Sequence, residues 1–364
     1  MFAVSTEFAV SNVRHEQKTR IWIMHYRSIA DMNDTIVGNL HRLPRDIDLV
    51  VGIPRSGILA ANLLSLAANI QMTDLDNFIA GKTYTSGIST KRRAALDRPV
   101  VEMRKILVID DSVNRGDAMR DARRRIQAAG ISAEFIFAAV YGHLPRHQDI
   151  DFVFEVAPHP RMFQWNFMHH IFLEQSCVDI DGVLCLDPTD AENDDGPAYE
   201  KFLSEALPMY GPTRKIGWLV TSRLEKYRRL TEAWLEKHGI KYDELIMLDL
   251  PSKAERQRLG VHGSFKADFY VKSDAILFIE SEHHQAAKIA KLSGKPVLCV
   301  ETHQVCLPQP LSLAALSQAT RNLPNRLKQV GEPAGRQAVL KKAARAMLGE
   351  SGYRALKDKL RGAN

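Results

Sequence analysis

Short, dense apolar runs alternate with longer stretches of helical periodicity, and the alternation occurs in two series. The first opens with Ile47–Val51 (IDLVV), passes a glycine-bearing turn and continues into a helical stretch, Ile58 to Ala68. Lys105–Asp110 (KILVID) then leads through a turn to a helix from Asp117 to Ala129, which Gly130 stops. Glu134–Tyr141 and Asp151–Val156 are further strands. Apolar runs of roughly four to eight residues between turn signals have the length of strands buried on both faces, and helices between them predict a parallel sheet. At Pro158–His170 (PHPRMFQWNFMHH) the pattern breaks into an aromatic, histidine-rich connector. The second series comprises strand Cys177–Asp181, strand Ile216–Ser222, helix Leu224–His238, strand Ala275–Glu280 and helix His283–Leu292, with Pro296–Val300 as the last strand. The expected class is α/β: two Rossmann-like parallel-sheet domains, residues 1–170 and 171–306, and a basic helical tail, 307–364.

Composition adds limits. With 364 residues, 45% apolar and 25% charged, the chain is neither disordered, collagenous nor a disulfide scaffold, and its length favours two domains. The longest apolar stretch, Ile58–Ile70, is broken by Asn62, Ser65 and Asn69, well short of the ~20 apolar residues of a membrane span. The first residues lack an apolar segment behind a basic start, so no secretory signal is expected and a cytoplasmic location is. Cys177, Cys185, Cys299 and Cys306 have no metal-binding spacing and read as reduced.

The net charge of +6 is uneven, because Arg321–Asn364 holds 11 Lys/Arg against 3 Asp/Glu. There Val339/Leu340, Ala343/Ala344 and Met347/Leu348 recur at four-residue steps, with Lys341, Lys342 and Arg345 on the other face. Such a basic amphipathic helix can pack on its own domain or lie on an anionic surface, which would make the protein peripheral at the inner membrane face. The remainder is close to neutral, so no specific nucleic-acid partner is expected.

Two places carry chemistry. In Ile106–Met119 (ILVIDDSVNRGDAM) a buried strand ends in adjacent carboxylates, Asp110 and Asp111, followed by a loop with Gly116 and a helix start. The loop aims backbone N–H groups and a helix N-terminus at an anion. The carboxylates can hold ribose hydroxyls or a Mg²⁺ shell. Asp117 at the helix start has the wrong charge for a phosphate and is expected to face outward. This stretch resembles the phosphoribosyl-pyrophosphate (PRPP) motif of type I phosphoribosyltransferases, in its amidophosphoribosyltransferase wording. GIPRSG (Gly52–Gly57) is similar to the pyrophosphate loop of that family, and Lys82–Arg93 suits the flap that closes over PRPP and excludes water. The resemblance covers residues 25–165. It implies that Arg55, Ser56, Gly57, Lys82 and Lys91 contact the pyrophosphate end and that Ser112, Asn114, Arg115 and Gly116 hold the 5-phosphate. Phe163 and Trp165 are expected to offer an aromatic surface to the acceptor.

The second place is DIDGVL (Asp179–Leu184). Two carboxylates two positions apart at a strand end point the same way, so one can attack phosphorus while the other manages a proton. The pattern resembles motif I of the haloacid dehalogenase (HAD) superfamily, and residues 174–303 continue the likeness with a small cap or none. The resemblance implies Asp179 as nucleophile, Asp181 as acid/base, Thr221 and Ser222 as phosphoryl contacts and Lys266 as the charge-balancing lysine. Asp179, Asp181 and Glu280 would hold Mg²⁺. Asp187, Asp190, Glu192, Asp194 and Asp195 read as a solvated acidic loop. His169/His170 and His283/His284 would face opposite ways in a strand and do not read as zinc ligands.

Together the two resemblances imply a bifunctional enzyme, like the dual-domain ribofuranosyltransferases of bacterial polysaccharide assembly. It would transfer 5-phosphoribosyl from PRPP to an acceptor, favouring a glycan hydroxyl, and then remove the 5-phosphate. A nucleobase-type acceptor and a PRPP-sensing regulator are the alternatives, and a homodimer is compatible with each.

Overall fold

Every apolar run expected as a strand contains one in the computed structural model, which describes residues 24–84 and 98–308, although the strand expected over Cys177–Asp181 stops at Val178, before Asp179 and Asp181. The first half contains β1 (His25–Arg27), β2 (Leu49–Gly52), β3 (Gln71–Asp74), β4 (Lys105–Val113), β5 (Glu134–Gly142), β6 (Phe152–Val156) and β7 (Arg161–Phe163). β2 to β6 form a five-stranded parallel sheet in the order β3-β2-β4-β5-β6. Leu49, Val50 and Val51 and Ile106–Ile109 are fully buried, as strands covered on both faces must be. Helices Ile29–Asn39, Ser56–Ala68 and Asp117–Ala128 flank the sheet.

The second half contains β8 (Ser176–Val178), β9 (Ile216–Leu224), β10 (Tyr242–Leu248), β11 (Leu277–Glu280), β12 (Val297–Cys299) and β13 (Gln304–Cys306). Their order is β10-β9-β8-β11-β12-β13, parallel except for the β12–β13 pair. Each sheet reverses its winding direction once, between β2 and β4 in the first and between β8 and β11 in the second. In open α/β sheets ligands bind beyond the carboxyl ends of the strands at such switch points.

Three expectations are corrected. The connector contains β7, which pairs with β1 in a two-stranded parallel ribbon. Pro296–Val300 is not the last strand, since Gln304–Cys306 follows as an antiparallel edge. The helix expected from Leu224 begins at Arg228, because β9 runs through Leu224 and a 3₁₀ turn, Glu225–Tyr227, intervenes. One apolar cluster joins the ribbon to the second sheet: Met24, Tyr26, Met162, Phe167 and Met168 pack with Leu219, Leu277 and Ile279. No helix among the described residues is long and apolar enough to cross a membrane. Lys91 and the tail helix lie outside the described residues.

Candidate active sites

β4 carries Asp110 and Asp111 to the first switch point, facing the turn after β2. Asp111 is held from two sides: the Ser56 hydroxyl donates to Oδ1 at 2.8 Å and the Trp165 indole N–H donates to Oδ2 at 2.8 Å. Asp110 Oδ1 accepts from the Asp111 backbone N–H at 2.8 Å. Burial, and then the neighbouring Asp111 carboxylate, push the Asp110 carboxyl well above its ordinary range. Gly57 has to be glycine, because a Cβ would lie 2.8 Å from the Ile109 carbonyl and 2.9 Å from Asp110 Oδ1. Beyond the carboxylates a cavity of about 250 Å³ is lined by Ser112, Asn114, Arg115, Gly116 and Met119. Gly116 caps helix Asp117–Ala128 with φ of +82°. Asp117 lines the same cavity instead of facing away from it, and its charge is offset by pairing with Arg115 at 3.1 Å and Arg120 at 2.6 Å.

At the second switch point Asp179 follows β8 and Glu280 ends β11. Lys266, on helix His262–Lys272, reaches both: its ammonium donates to Asp179 Oδ2 at 2.6 Å and to Glu280 Oε2 at 2.8 Å. All three side chains are buried. Burial alone would lower the Lys266 pKa, but Asp179 and Glu280 outweigh it and hold the ammonium charged. One ammonium cannot neutralise two buried carboxylates, so burial, with Glu280 and Asp181 adding to it, keeps Asp179 raised against the pull of Lys266. Asp181 is engaged by Arg223 at 2.7 Å (Nη2) and 3.1 Å (Nε). Thr221 is buried on β9, where its hydroxyl accepts from the Arg223 backbone N–H at 3.2 Å. Among the described residues no group of three or more His, Cys, Asp or Glu forms a ready metal shell. The oxygen pair of Asp179 and Glu280, one positive charge short, nevertheless fits Mg²⁺, which commonly takes one or two carboxylates and completes its shell with water and phosphate.

Residues 24–167 match the family model for the phosphoribosyl transferase domain. This stretch is a phosphoribosyltransferase domain. An amidophosphoribosyltransferase of Staphylococcus aureus is 26% identical over 164 residues, covering 36% of this chain and 33% of that protein. An amidophosphoribosyltransferase of Synechocystis is 34% identical over 97 residues, covering 24% and 19%. The transcriptional regulator GfcR of Methanococcoides burtonii is 29% identical over 99 residues, covering 27% and 46%. The chain thus spans less than half the length of each of these relatives.

Within the phosphoribosyltransferase domain the structure brings Ser56, Gly57, Asp110, Asp111 and Trp165 together. Arg55 and Lys82 are exposed on the turn after β2 and on the stretch before residue 85. Phe163 is buried and clusters with Trp165 (4.8 Å) and Tyr141 (5.3 Å), which also lie 6.3 Å from each other. It therefore supports Trp165 rather than offering a face to an acceptor. The acidic loop is not simply solvated. Asp194 caps helix Pro197–Glu205 by accepting from Gly196 (2.8 Å) and Tyr199 (2.9 Å) N–H groups. Asp195 accepts from the Lys253 N–H at 2.9 Å and the Tyr227 hydroxyl at 3.0 Å. Asp187 is exposed at its surface, yet its carboxyl is pushed up to about 6 by partial desolvation, then by Asp181, Glu282 and Glu280. Sequence reasoning missed Arg223, two positions after Thr221 on β9. The alternation of β9 was the available signal, since Thr221 and Arg223 share a face.

Proposed function

We propose that this chain transfers a 5-phosphoribosyl group from PRPP to an acceptor and then hydrolyses the 5-phosphate, leaving ribofuranose. The observation that carries the reading is that Lys266 bridges Asp179 and Glu280 beside Thr221, at the switch point of a sheet that follows the phosphoribosyltransferase domain in the same chain. In the first site Asp110 and Asp111 hold the ribose hydroxyls, and the loop from Ser112 to Gly116 holds the 5-phosphate against the helix N-terminus. An acceptor hydroxyl replaces pyrophosphate at the anomeric carbon. Arg55 meets the departing pyrophosphate, and the flap with Lys82 and Lys91 covers it.

In the second site the Asp179 carboxylate attacks phosphorus, and the sugar oxygen leaves with the proton of Asp181. Asp181 then takes a proton from the water that opens the aspartyl phosphate. Thr221, Ser222 and Lys266 hold the phosphoryl oxygens. Asp179 and Glu280 would hold Mg²⁺, which when bound neutralises charge on those oxygens. Arg223 occupies both oxygens of Asp181, at 2.7 Å to Oδ1 and 3.2 Å to Oδ2, the oxygens a metal would need.

A glycan hydroxyl is the favoured acceptor, because removing the phosphate makes sense where plain ribofuranose is the end product. The test supplies PRPP and Mg²⁺ with lipid-linked glycans and with nucleobases, following pyrophosphate, phosphate and product mass. A product heavier than the glycan by one pentose unit supports the reading, and a nucleoside favours the nucleobase alternative. The similarity to a transcriptional regulator favours a second reading, PRPP sensing. That reading prevails if PRPP binds and no acceptor consumes it.

A further inference from the structure

Three cations lie in the second half's candidate site, and only two are matched by carboxylates. Lys266 is paired with Asp179 and Glu280, and Arg223 with Asp181. The third is Arg256, on the helix Lys253–Leu259 that follows β10. It is 8% exposed, yet among the described residues no carboxylate pairs with it. Its Nη1 donates to the Ser222 carbonyl at 2.8 Å, while its Nε is buried without a partner. The Ser222 hydroxyl is likewise buried without a partner, one residue from Thr221. A buried guanidinium with unspent charge is costly unless an anion completes it.

The surroundings locate this cation. His262 is lowered to about 4 by burial and then by Arg256 and Lys266, so both positive fields reach one imidazole at the start of the helix that carries Lys266. The Tyr199 hydroxyl, on the helix after the acidic loop, accepts from Arg256 and also lies in the fields of Asp181 and Arg223; being neutral, it leaves the guanidinium charge unmatched.

Resting on the phosphatase reading above, we infer that Arg256 and the Ser222 hydroxyl form a second anion contact beside Thr221 and Lys266, which takes non-bridging oxygens of a dianionic phosphomonoester. Four carboxylates, Asp179, Asp181, Asp187 and Glu280, would otherwise repel such a group. Arg256 supplies a positive charge that no carboxylate among the described residues matches, bonded to the strand that carries Thr221. The fork of a guanidinium also matches phosphoryl oxygens better than an ammonium does.

The test uses the full chain with ribose 5-phosphate as substrate and, in an Asp179→Asn background, inorganic phosphate as ligand for calorimetry. Arg256→Gln should raise KM for ribose 5-phosphate and the phosphate Kd by about 10- to 100-fold, the weight of a hydrogen bond to a charged group, with a much smaller change in kcat. Arg256→Lys should fall between, and Ser222→Ala should raise both constants by a smaller factor. A folded Arg256→Gln protein with unchanged KM and Kd overturns the inference. If Arg256→Gln does not fold, unchanged constants in both Arg256→Lys and Ser222→Ala overturn it. If the wild-type chain neither hydrolyses ribose 5-phosphate nor binds phosphate, the phosphatase reading itself fails. Wild-type hydrolysis with an unaffected Arg256→Gln protein removes only the role of Arg256.

Discussion

Trp165 donates its indole N–H to Asp111 at 2.8 Å across 54 positions of sequence. Ser56 grips the other oxygen of the same carboxylate at 2.8 Å. Asp111 is thereby fixed by one residue from the helix after β2 and one from the far end of the phosphoribosyltransferase domain. The indole itself is set by its stack on Phe163, with planes 6° apart. A sugar-binding carboxylate gains from such preorganisation, because its orientation is settled before the substrate arrives.

Trp165→Phe keeps an aromatic ring against Phe163 but deletes the indole N–H together with part of the ring. The KM for PRPP should rise about 10-fold, as for the loss of a hydrogen bond to a charged group. The melting temperature should move little. Pyrophosphate release at varied PRPP is the measurement, and an unchanged KM would remove the indole from the site.

Asp110→Asn should stabilise the fold while stopping transfer. Burial and Asp111 raise the Asp110 carboxyl. The unfolded chain therefore releases that proton at lower pH than the folded chain does. Its contribution to stability is lost as pH rises through the window above the ordinary Asp range. The advantage of the amide should be largest near neutrality and shrink as the medium is acidified toward pH ~4, the ordinary Asp value. Urea denaturation at two pH values checks the sign.

The parallel strands were legible because burial on both faces makes them nearly continuous apolar runs, as in Leu49–Val51 and Ile106–Ile109. The adjacent carboxylates and DIDG were legible because strand ends at switch points need polar residues where apolar runs stop. β7 was not legible: three residues hydrogen-bonded to a strand more than 130 positions away carry no local period. The helix His262–Lys272 was hidden because HGSFKADFYVK buries a lysine where a helical pattern calls for an apolar residue. That lysine was legible as chemistry, though not as part of a helix. Arg256 carried no signal in its own helix, since its recorded partners are Ser222 on β9 and Tyr199 on the helix Pro197–Glu205.

His25 makes the fold acid-sensitive. Its ring is buried, with Nδ1 lacking a partner, and its pKa is lowered to about 4 by burial and then by Arg27 and His159. The unfolded chain takes up the proton first, near pH 6.5. Stability present above that value is lost as pH falls toward about 4. His25→Gln should thus recover about 1–2 kcal/mol relative to wild type at pH ~5 and none at pH ~8. Denaturant titrations at those two values decide it, and an equal gap at both would assign the effect to packing.

Lys266→Met should cost about 3–5 kcal/mol, because it leaves Asp179 and Glu280 buried without their shared counter-charge. Adding Glu280→Gln removes one of the two stranded charges and should restore part of that stability. Mg²⁺ should raise the melting temperature of Lys266→Met more than that of wild type, since the cation has more uncompensated charge to meet. If Mg²⁺ shifts neither protein, the pair of carboxylates does not bind it.

Asp179→Asn tests the separation of the two chemistries. The amide keeps the volume and can still accept from Lys266, but it cannot form an ester with phosphorus. Hydrolysis should fall by at least about 10³-fold, in the range seen when a nucleophile is removed. Transfer should survive, because Asp110 and Asp111 lie on the other sheet. The product of a complete reaction should then be heavier than the wild-type product by one phosphate. Asp110→Asn combined with Asp111→Asn should give the reverse: no consumption of PRPP, and undiminished hydrolysis of a supplied phosphoribosylated compound. Mass spectrometry of the products reads both outcomes. Loss of both activities in either protein, with the fold intact, would mean that the sites are not independent and that the apolar cluster joining the β1–β7 ribbon to the second sheet couples them.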